Sequence, residues 1–361
     1  MQCVTPMFFT YKLGDKKHGK IVSRSDVMQG LELTENNIRI QTNNYEQRNN
    51  KKCITVPCRK CWACQLNYSA EWATRIMLEA QKYESNWFIT LTYDDDHLPI
   101  LEELQTTEHW EDISGNVETM DVTYKNDGTQ ADGTLLPEHM DTFINTLRKK
   151  FERKGHNGIK YFYAGEYGEN TRRPHYHIIL LNCPLDINLF YNTHVDSNFK
   201  IHWKSKEIDE IWKKGMIDVA ELEWSCAAYV ARYCTKKISF NSDKREYYSQ
   251  LKLPEYTRSS HRMGMDYFEQ HMDEIYKTDE MIMKTVKGNT GSFKPPKAFD
   301  KKFKELRPKE WRKIQRSRAK AAERSRKLQE EITDYTDLEM LKIKADRLQT
   351  KMQMLPRVGE W

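Results

Sequence analysis

The chain has 361 residues, 31% of them charged and 38% hydrophobic, which suits one or two folded domains and excludes a disordered chain. No run approaches the roughly 18 uncharged apolar residues of a membrane span, and the N-terminus lacks the features of a signal peptide. We therefore expect a cytosolic protein that does not contact membranes. The net charge is only +5, yet acidic and basic residues are concentrated in separate segments.

A cluster of cysteines is the first feature in chain order that indicates chemistry. In a reducing compartment, cysteines serve in metal binding or in ordinary packing rather than in disulfides. Three of them are separated by gaps of two residues, a spacing common among zinc ligands, and a fourth is close enough to join them. Structural zinc and reduced thiols explain this spacing equally well, and an iron–sulfur cluster is a minor alternative. The residues are Cys53, Cys58, Cys61 and Cys64.

Helix and strand patterns follow the cysteines. Apolar residues recur at helical spacing over residues 64–83, and residues 87–93 are aromatic and β-branched, as in a strand. Residues 94–141 contain 14 acidic side chains and one lysine, so the sequence predicts a long loop or insertion up to about residue 136. Asp141 is then expected to cap a helix.

A His-x-His pair lies on the second of two strands, which are predicted at residues 159–164 and 175–181 with a connection between them. Because side chains two apart on a strand share a face, His175 and His177 can hold a divalent ion together. A carboxylate near the end of the neighbouring strand should complete the set, which then suits Mg²⁺ or Mn²⁺. The alternative is a histidine pair without a metal on a partly exposed strand. The candidates for the third ligand are, in order of preference, Glu166 and Glu169.

A helix predicted over residues 225–237 carries two tyrosines. Tyr229 and Tyr233 are four apart and therefore lie on one side of the helix, with Lys236 near the same side. A phenol is a weak nucleophile at neutral pH, but nearby cations and a metal-polarised phosphate favour its attack on phosphorus. The two motifs together predict a metal-assisted tyrosine attack on a DNA phosphate. The alternative is an amphipathic helix whose tyrosines pack against the sheet.

The C-terminal part of the chain is predicted to be helical and basic. Within it, residues 301–330 contain 13 Lys or Arg and four Glu. Such a surface suits phosphate binding, although an ordinary solvated helix face gives the same composition.

The ordered motifs resemble those of a known family. They are similar to the three motifs of the rolling-circle replication initiators, the HUH endonucleases, and the paired tyrosines resemble the microvirus branch of that family. The cysteine spacing, followed by Trp72, Arg75 and Glu79, resembles its gokushovirus group. The likeness covers roughly residues 53–300. The motifs that carry it are residues 88–93, 165–168, 173–177 and 229–236.

The resemblance implies an α+β fold in which helices flank a central antiparallel sheet of the HUH or ferredoxin-like type. The histidine pair should lie on a middle strand, and a helical extension should follow at the C-terminus. We expect three segments along the chain. They are an N-terminal segment with the cysteine cluster at 1–82, a nuclease domain at 83–250 and a mostly helical basic extension at 251–361.

The resemblance also implies an activity. Tyr229 and Tyr233 would act in turn as nucleophiles that nick origin DNA, leave a 5′-phosphotyrosine link with a free 3′-OH, and later rejoin the strand. Lys236 would position or neutralise the phosphate. The implied partners are single-stranded or supercoiled origin DNA and the host helicase and polymerase, in the cytoplasm of a bacterium infected by a circular single-stranded DNA phage.

Two other functions fit parts of the pattern. A relaxase or transposase uses the same His-x-His and tyrosine chemistry, but the paired tyrosines and the cysteine cluster favour a replication initiator. A non-enzymatic protein that binds single-stranded nucleic acid would use aromatic residues and basic patches. That function leaves the histidine pair without a role.

Overall fold

The computed structural model describes residues 6–13, 15–31, 35–58, 61–111, 117–126, 133–168, 171–196, 200–236, 247–284, 290–335 and, beyond these, 339, 340, 342–344, 346, 347 and 350. The chain folds into two compact units. The terminal unit combines the residues up to Tyr68 with those from Asp300 onward, and the sheet unit comprises Ser69–Phe299. The predicted division at residues 82 and 250 stays a prediction.

Strands and helices alternate along the chain. The strands are β1 (Met7–Lys12), β2 (Asp15–Val22), β3 (Lys52–Val56), β4 (Asn86–Thr92), β5 (Glu103–Glu111), β6 (Val117–Lys125), β7 (Lys160–Tyr167), β8 (Pro174–Leu181), β9 (Phe190–Val195), β10 (Ile201–Ser205), β11 (Ile217–Glu221), β12 (Tyr256–Ser259), β13 (Met281–Lys284) and β14 (Thr290–Phe293). The helices are α1 (Arg24–Met28), α2 (Glu35–Asn49), α3 (Trp62–Ala80), α4 (Pro137–Arg153), α5 (Lys206–Trp212), α6 (Trp224–Lys236), α7 (Met265–Thr278), α8 (Lys297–Leu306) and α9 (Pro308–Ile332). None of these helices combines the length and the apolar composition that crossing a membrane requires.

A seven-stranded sheet forms the centre of the sheet unit. Its strands lie in the order β12-β7-β8-β4-β11-β10-β9, and every neighbouring pair is antiparallel. Strand β8, which carries the histidine pair, has a neighbour on each side. The structure thus confirms the predicted α+β class with a central antiparallel sheet and a helical C-terminal region.

Helices cover both faces of this sheet because the strands are apolar on both sides. In β4, the side chains of Ile89 and Leu91 pack with α4 and α5, whereas Phe88 packs with α3 and α6. We call these the α4–α5 face and the α3–α6 face. The first is filled by large side chains such as Phe143 and Trp212. The second contains several alanines, so its helices can approach the sheet closely.

Strand β7 is longer than the sequence predicted. Residues 165–167 were expected in the connection to β8, but they continue the strand. Gly165 pairs with Tyr176 of β8 on one side and with Tyr256 of β12 on the other, so both ladders extend through this position. As a result Glu166 lies on a regular strand between two neighbours rather than on a loop.

The acidic segment was also predicted wrongly in part. Strands β5 and β6 pair along their whole length as an antiparallel two-stranded sheet, where we expected a long loop. Helix α4 begins at Pro137, not at a cap formed by Asp141. Proline suits the first helical position because its missing N–H is not needed there. Asp141 instead accepts hydrogen bonds from the Arg258 guanidinium at 2.7 and 2.9 Å.

A buried carboxylate ties α3 to other parts of the sheet unit. Glu79 is fully buried and accepts hydrogen bonds from the Gly264 N–H and from Lys160 Nζ, both at 2.7 Å. Tyr83 and Lys82 contribute further contacts at 3.1 and 3.2 Å. Because each oxygen has donors, the cost of burying this charge is offset.

The terminal unit has its own small core. Strands β2, β1 and β3 form an antiparallel sheet, and Phe8, Val27, Met28 and Cys53 are buried together. Helix α9 presents a series of exposed basic side chains. They are Lys309, Arg312, Lys313, Arg316, Lys320, Arg324 and Lys327.

Candidate metal centre and its tyrosine helix

Strands β7 and β8 bring the three predicted metal ligands to one face of the sheet. Glu166 lies directly opposite His175, and Ala164 lies directly opposite His177. Opposed residues share a face, as do residues two apart on one strand. Because Ala164 packs with α3 and α6, all three ligands project from the α3–α6 face.

The two imidazoles converge on one carboxylate oxygen. The Nε2 atoms of His175 and His177 lie 2.8 and 2.7 Å from Glu166 Oε1. His177 and Glu166 are almost completely buried, whereas the His175 side chain remains 17% exposed. The cluster is therefore open to solvent on the His175 side.

Charge within the cluster decides the protonation of Glu166. Burial opposes its ionisation, but the His177 and His175 imidazoles outweigh this and lower the pKa of Glu166 to about 2. The carboxylate is consequently ionised at neutral pH. Burial lowers the pKa of His177, which keeps that imidazole neutral and able to donate a lone pair.

Neighbouring groups fix the orientation of both imidazole rings. His175 Nδ1 donates to the Arg173 carbonyl oxygen at 3.2 Å, and His177 Nδ1 is hydrogen-bonded to Thr90 Oγ1 at 3.0 Å. The Phe88 ring stacks on the His177 ring at 5.6 Å with an interplanar angle of 12°. In both histidines Nδ1 is held from outside, so Nε2 is directed into the cluster.

The donor set fits a divalent cation. Glu166, His175 and His177 each offer one ligand atom, and these atoms lie within 4.8 Å of one another. Ligand atoms around a small divalent ion stand about 3 Å apart, so only small shifts are needed to surround one. Metal-binding histidines commonly have their second nitrogen hydrogen-bonded as seen here. The identity of the ion as Mg²⁺ or Mn²⁺ stays a prediction.

Helix α6 brings the first tyrosine against this cluster. The Tyr229 ring lies edge-on to the His177 ring at 5.2 Å and to the Phe88 ring at 6.4 Å, and it is 3% exposed. Small side chains on the helix and the sheet allow this close packing. They include Ala164, Ala220, Ala227 and Ala231. The sequence alternative of a tyrosine packed on the sheet and that of a tyrosine beside the metal ligands are both met at Tyr229.

The remaining predicted site residues are placed less completely. Tyr233 and Lys236 belong to α6, which ends at Lys236, so Tyr233 lies about one turn beyond Tyr229. The side chains of Tyr233 and Lys236 fall outside the described residues. The reserve ligand Glu169 also lies outside them.

Three of the four predicted cysteines form a second candidate site. Cys58, Cys61 and Cys64 place their sulfurs within 4.8 Å of one another near the start of α3. The Cys61 N–H donates to Cys58 Sγ at 3.2 Å, and such a contact favours the thiolate form that binds metals. Zinc binding by this group stays a prediction.

Cys53 lies apart from that group. It is on β3, buried against Phe8, Val27 and Met28. Burial, together with the Glu46 carboxylate, raises the pKa of the Cys53 thiol to about 11, so it is protonated at neutral pH. Packing accounts for this residue.

Sequence reasoning missed Thr90 as part of the site. The signal was present, because Phe88, Thr90 and Thr92 alternate with large apolar residues along β4 and must share a face. Placing that face beside the histidines requires the pairing of β4 with β8, in which Thr90 lies opposite His177. Local sequence does not reveal that pairing.

Known proteins resemble the chain across this same region. The family model described as replication-associated protein ORF2 matches residues 86–238, which extend from β4 to the end of α6. Replication-associated protein ORF2 of Spiroplasma virus 4 is 35% identical over 316 residues, covering 86% of this chain and 82% of that protein.

Two further relatives carry similar names. Replication-associated protein VP4 of Bdellovibrio phage phiMH2K is 28% identical over 263 residues, 72% of this chain and 70% of that protein. Replication-associated protein ORF4 of Chlamydia phage 1 is 26% identical over 230 residues, 63% of this chain and 49% of that protein. No solved structure matches the chain.

Proposed function

Because the chain belongs to the replication-associated protein ORF2 family, we propose that it initiates rolling-circle replication by nicking one strand of origin DNA through a tyrosine. The single observation that carries this proposal is a convergence on the α3–α6 face. Three ligand atoms able to hold a cation meet there, and the Tyr229 ring packs against one of the ligands, His177.

The nicking step exchanges one phosphoester for another. The Tyr229 or Tyr233 hydroxyl oxygen bonds to the scissile phosphorus as the bond from phosphorus to the 3′-oxygen breaks. The phenol releases its proton to solvent, and the departing 3′-oxygen takes one up. The products are a 5′-phosphotyrosine link and a free 3′-OH that can prime DNA synthesis.

Residues of the cluster prepare this step. A Mg²⁺ or Mn²⁺ ion held by Glu166, His175 and His177 would supply Lewis-acid polarisation of the scissile phosphate. Thr90 keeps His177 oriented, and the partial exposure of His175 gives the DNA a side from which to approach. Lys236 follows on the same helix, and its charge is assigned to the phosphate.

Two tyrosines on one helix allow the strand to be cut and closed in turn. One tyrosine holds the old 5′ end while the other cuts the newly made junction. The tyrosyl ester retains the energy of the broken phosphodiester, so a 3′-OH rejoins the strand without ATP. This separates the proposed activity from simple hydrolysis.

The other parts of the chain have proposed roles around this centre. Cys58, Cys61 and Cys64 hold a structural Zn²⁺ ion. The exposed basic side chains of α9 contact DNA phosphates. The DNA is single-stranded or supercoiled origin DNA, host helicase and polymerase extend the 3′-OH, and the protein acts in the cytoplasm of the infected bacterium.

The proposal is tested by following covalent protein–DNA adducts. Labelled circular single-stranded DNA that carries the origin is incubated with the full chain, with and without Mn²⁺, and run on a denaturing gel. We expect an adduct only with Mn²⁺, and none in the Tyr229→Phe, Tyr233→Phe double variant. The matched control is Tyr161→Phe, which removes a phenol from the α4–α5 face and should leave the adduct unchanged.

Each other outcome has a distinct meaning. An adduct that survives in the double variant rules out these tyrosines as nucleophiles. Binding of the DNA without an adduct in the wild-type protein supports a non-enzymatic binding protein instead. Adduct formation on transfer or recombination sequences, but not on the origin, supports a relaxase or transposase.

A further inference from the structure

A second cluster of histidine and carboxylate groups lies on the outer strands of the same sheet. His194 is on β9, His202 on β10 and Asp218 on β11. Each offers one ligand atom, and these atoms lie within 4.8 Å of one another. The proposed nicking mechanism makes no use of these residues.

Strand pairing explains why the three side chains meet. His194 lies directly opposite His202 across the β9–β10 ladder, and their rings stack at 5.1 Å. His202 lies opposite Ala220, and Asp218 is two residues from Ala220 on β11, so it shares the same face. A register shift follows His202 in β10, which allows the neighbouring side chains to turn toward it.

Burial and hydrogen bonding distinguish this cluster from an ordinary surface ion pair. His202 is 1% exposed, and its Nδ1 is hydrogen-bonded to Asp218 Oδ2 at 2.5 Å. Its other nitrogen, Nε2, finds no hydrogen-bond partner among the described residues. A buried ring nitrogen without a hydrogen bond is costly, and a bound cation is one way to satisfy it.

The surrounding distances match what a cation between the groups requires. His202 Nε2 lies 3.6 Å from Asp196 Oδ2, and His194 Nε2 lies 3.7 Å from Asp218 Oδ1. Both separations exceed a hydrogen bond, yet they are close to the roughly 3.4 Å between ligand atoms of a tetrahedral zinc site. Two nitrogens and two carboxylate oxygens thus surround one small volume.

We propose that His194, His202 and Asp218, with Asp196 as fourth ligand, bind a divalent transition-metal ion, and that zinc is its natural occupant. Imidazole nitrogens select zinc and its neighbours over Mg²⁺, and a buried set with four protein ligands is typical of a structural zinc site. The ion links β9, β10 and β11, which form one edge of the sheet.

The second cluster is separate from the nicking centre. Asp218 lies opposite Thr90, and Thr90 lies opposite His177, so two strand spacings separate the clusters, about 10 Å. One ion cannot be shared over that distance. The inference therefore stands whether or not the tyrosine mechanism is correct.

Zinc titration of the full chain tests the proposal. Metal-free protein receives Zn²⁺ alone, and bound zinc is counted by mass spectrometry of the dialysed protein. We expect His194→Ala to bind one equivalent less than wild type and to lose part of the zinc-induced rise in Tm. The matched control is His271→Ala, whose side chain is similarly exposed, 38% against 34%, and which should bind as wild type does.

The other candidate sites are separated by background and by a variant-free measurement. The one-equivalent loss should persist when Cys58→Ser is also present, which shows that the cysteines are not its source. In wild type, zinc should protect His194 but not His271 from diethyl pyrocarbonate, read from the peptide masses. Unchanged zinc content in His194→Ala, or equal modification of His194 with and without zinc, would overturn the proposal.

Discussion

On the α4–α5 face of the sheet the strands bury large aromatic side chains whose polar tips bond to one another. Tyr93 and Tyr176 hydroxyls lie 3.2 Å apart, the Leu136 N–H donates to the Tyr176 hydroxyl at 2.8 Å, and Trp212 packs on both rings. On the α3–α6 face the same strands carry imidazoles, carboxylates and threonine. The polar groups there meet in clusters that are able to bind cations.

The difference shows how one sheet separates folding from chemistry. Alternation along a strand sends neighbours to opposite faces, so His177 belongs to the metal cluster while Ile178 belongs to the aromatic core. The large side chains give the sheet its stability. The alanines of the other face let α6 bring Tyr229 against His177.

The largest expected effect comes from His177→Gln. Gln keeps most of the side-chain volume but does not replace the imidazole as a ligand. We expect the rate of adduct formation with origin DNA to fall about a thousandfold, which corresponds to about 4 kcal/mol of transition-state stabilisation. Single-turnover kinetics with Mn²⁺ measures this, and thermal unfolding should show a change of no more than about 1 kcal/mol.

The adjacent substitution Ile178→Ala should give the opposite result. Ile178 is completely buried on the α4–α5 face, so its truncation leaves a cavity and costs about 2–5 kcal/mol of unfolding free energy. Urea unfolding measures the loss. Adduct formation by the fraction that remains folded should match wild type. A large kinetic defect in folded Ile178→Ala would show that the two faces are not functionally separate.

Glu79→Leu sharpens the comparison, because Glu79 is a buried charge with a structural role. Removing it leaves Lys160 and the Gly264 N–H without their shared acceptor. We expect a loss of about 3 kcal/mol in unfolding free energy, at the lower end for a broken buried pair because both lysines can reach solvent. Glu274→Leu, at an exposed position, is the control and should change little.

The pH dependence of the same variant has a definite sign. Burial opposes ionisation of Glu79, but hydrogen bonds from Lys160 and Gly264 outweigh it and hold its pKa below 4.5. A carboxyl with a lowered folded pKa stabilises the fold above its unfolded pKa and loses that contribution on acidification. The stability difference between wild type and Glu79→Leu should therefore be constant near neutral pH and shrink below pH 4.5. A difference that widens on acidification contradicts this assignment.

Sequence alone predicted the parts of the site that follow from local periodicity. Alternation placed His175 and His177 on one face, and helical spacing placed Tyr229 and Tyr233 on one side of a helix that exists within one residue of the predicted bounds. Glu166 was chosen correctly as the carboxylate nearest the histidines. These features need only the residues within a few positions of each other.

The missed features depend on which strands become neighbours. His202 and Asp218 meet because β10 pairs with β11, and Thr90 reaches His177 because β4 pairs with β8. The β5–β6 hairpin was missed for a different reason. Acidic residues dominate its composition, although Val122 and Tyr124 alternate with exposed positions as in a strand. Its strands bury no face deeply, so the hydrophobic signal is weak.

The smallest effect that still separates the two faces is expected from Thr90→Val. Valine keeps the shape and β-branching of threonine but removes the hydroxyl that holds His177 Nδ1 at 3.0 Å. Loss of such an outer contact commonly lowers metal affinity or activity 10- to 100-fold, about 1.4–2.7 kcal/mol. The Mn²⁺ concentration required for half-maximal adduct formation should rise, whereas Thr90→Ser, which retains the hydroxyl, should stay near wild type. Equal behaviour of the valine and serine variants would mean that Thr90 acts through packing alone, and that His177 is oriented by the Phe88 ring on which it stacks.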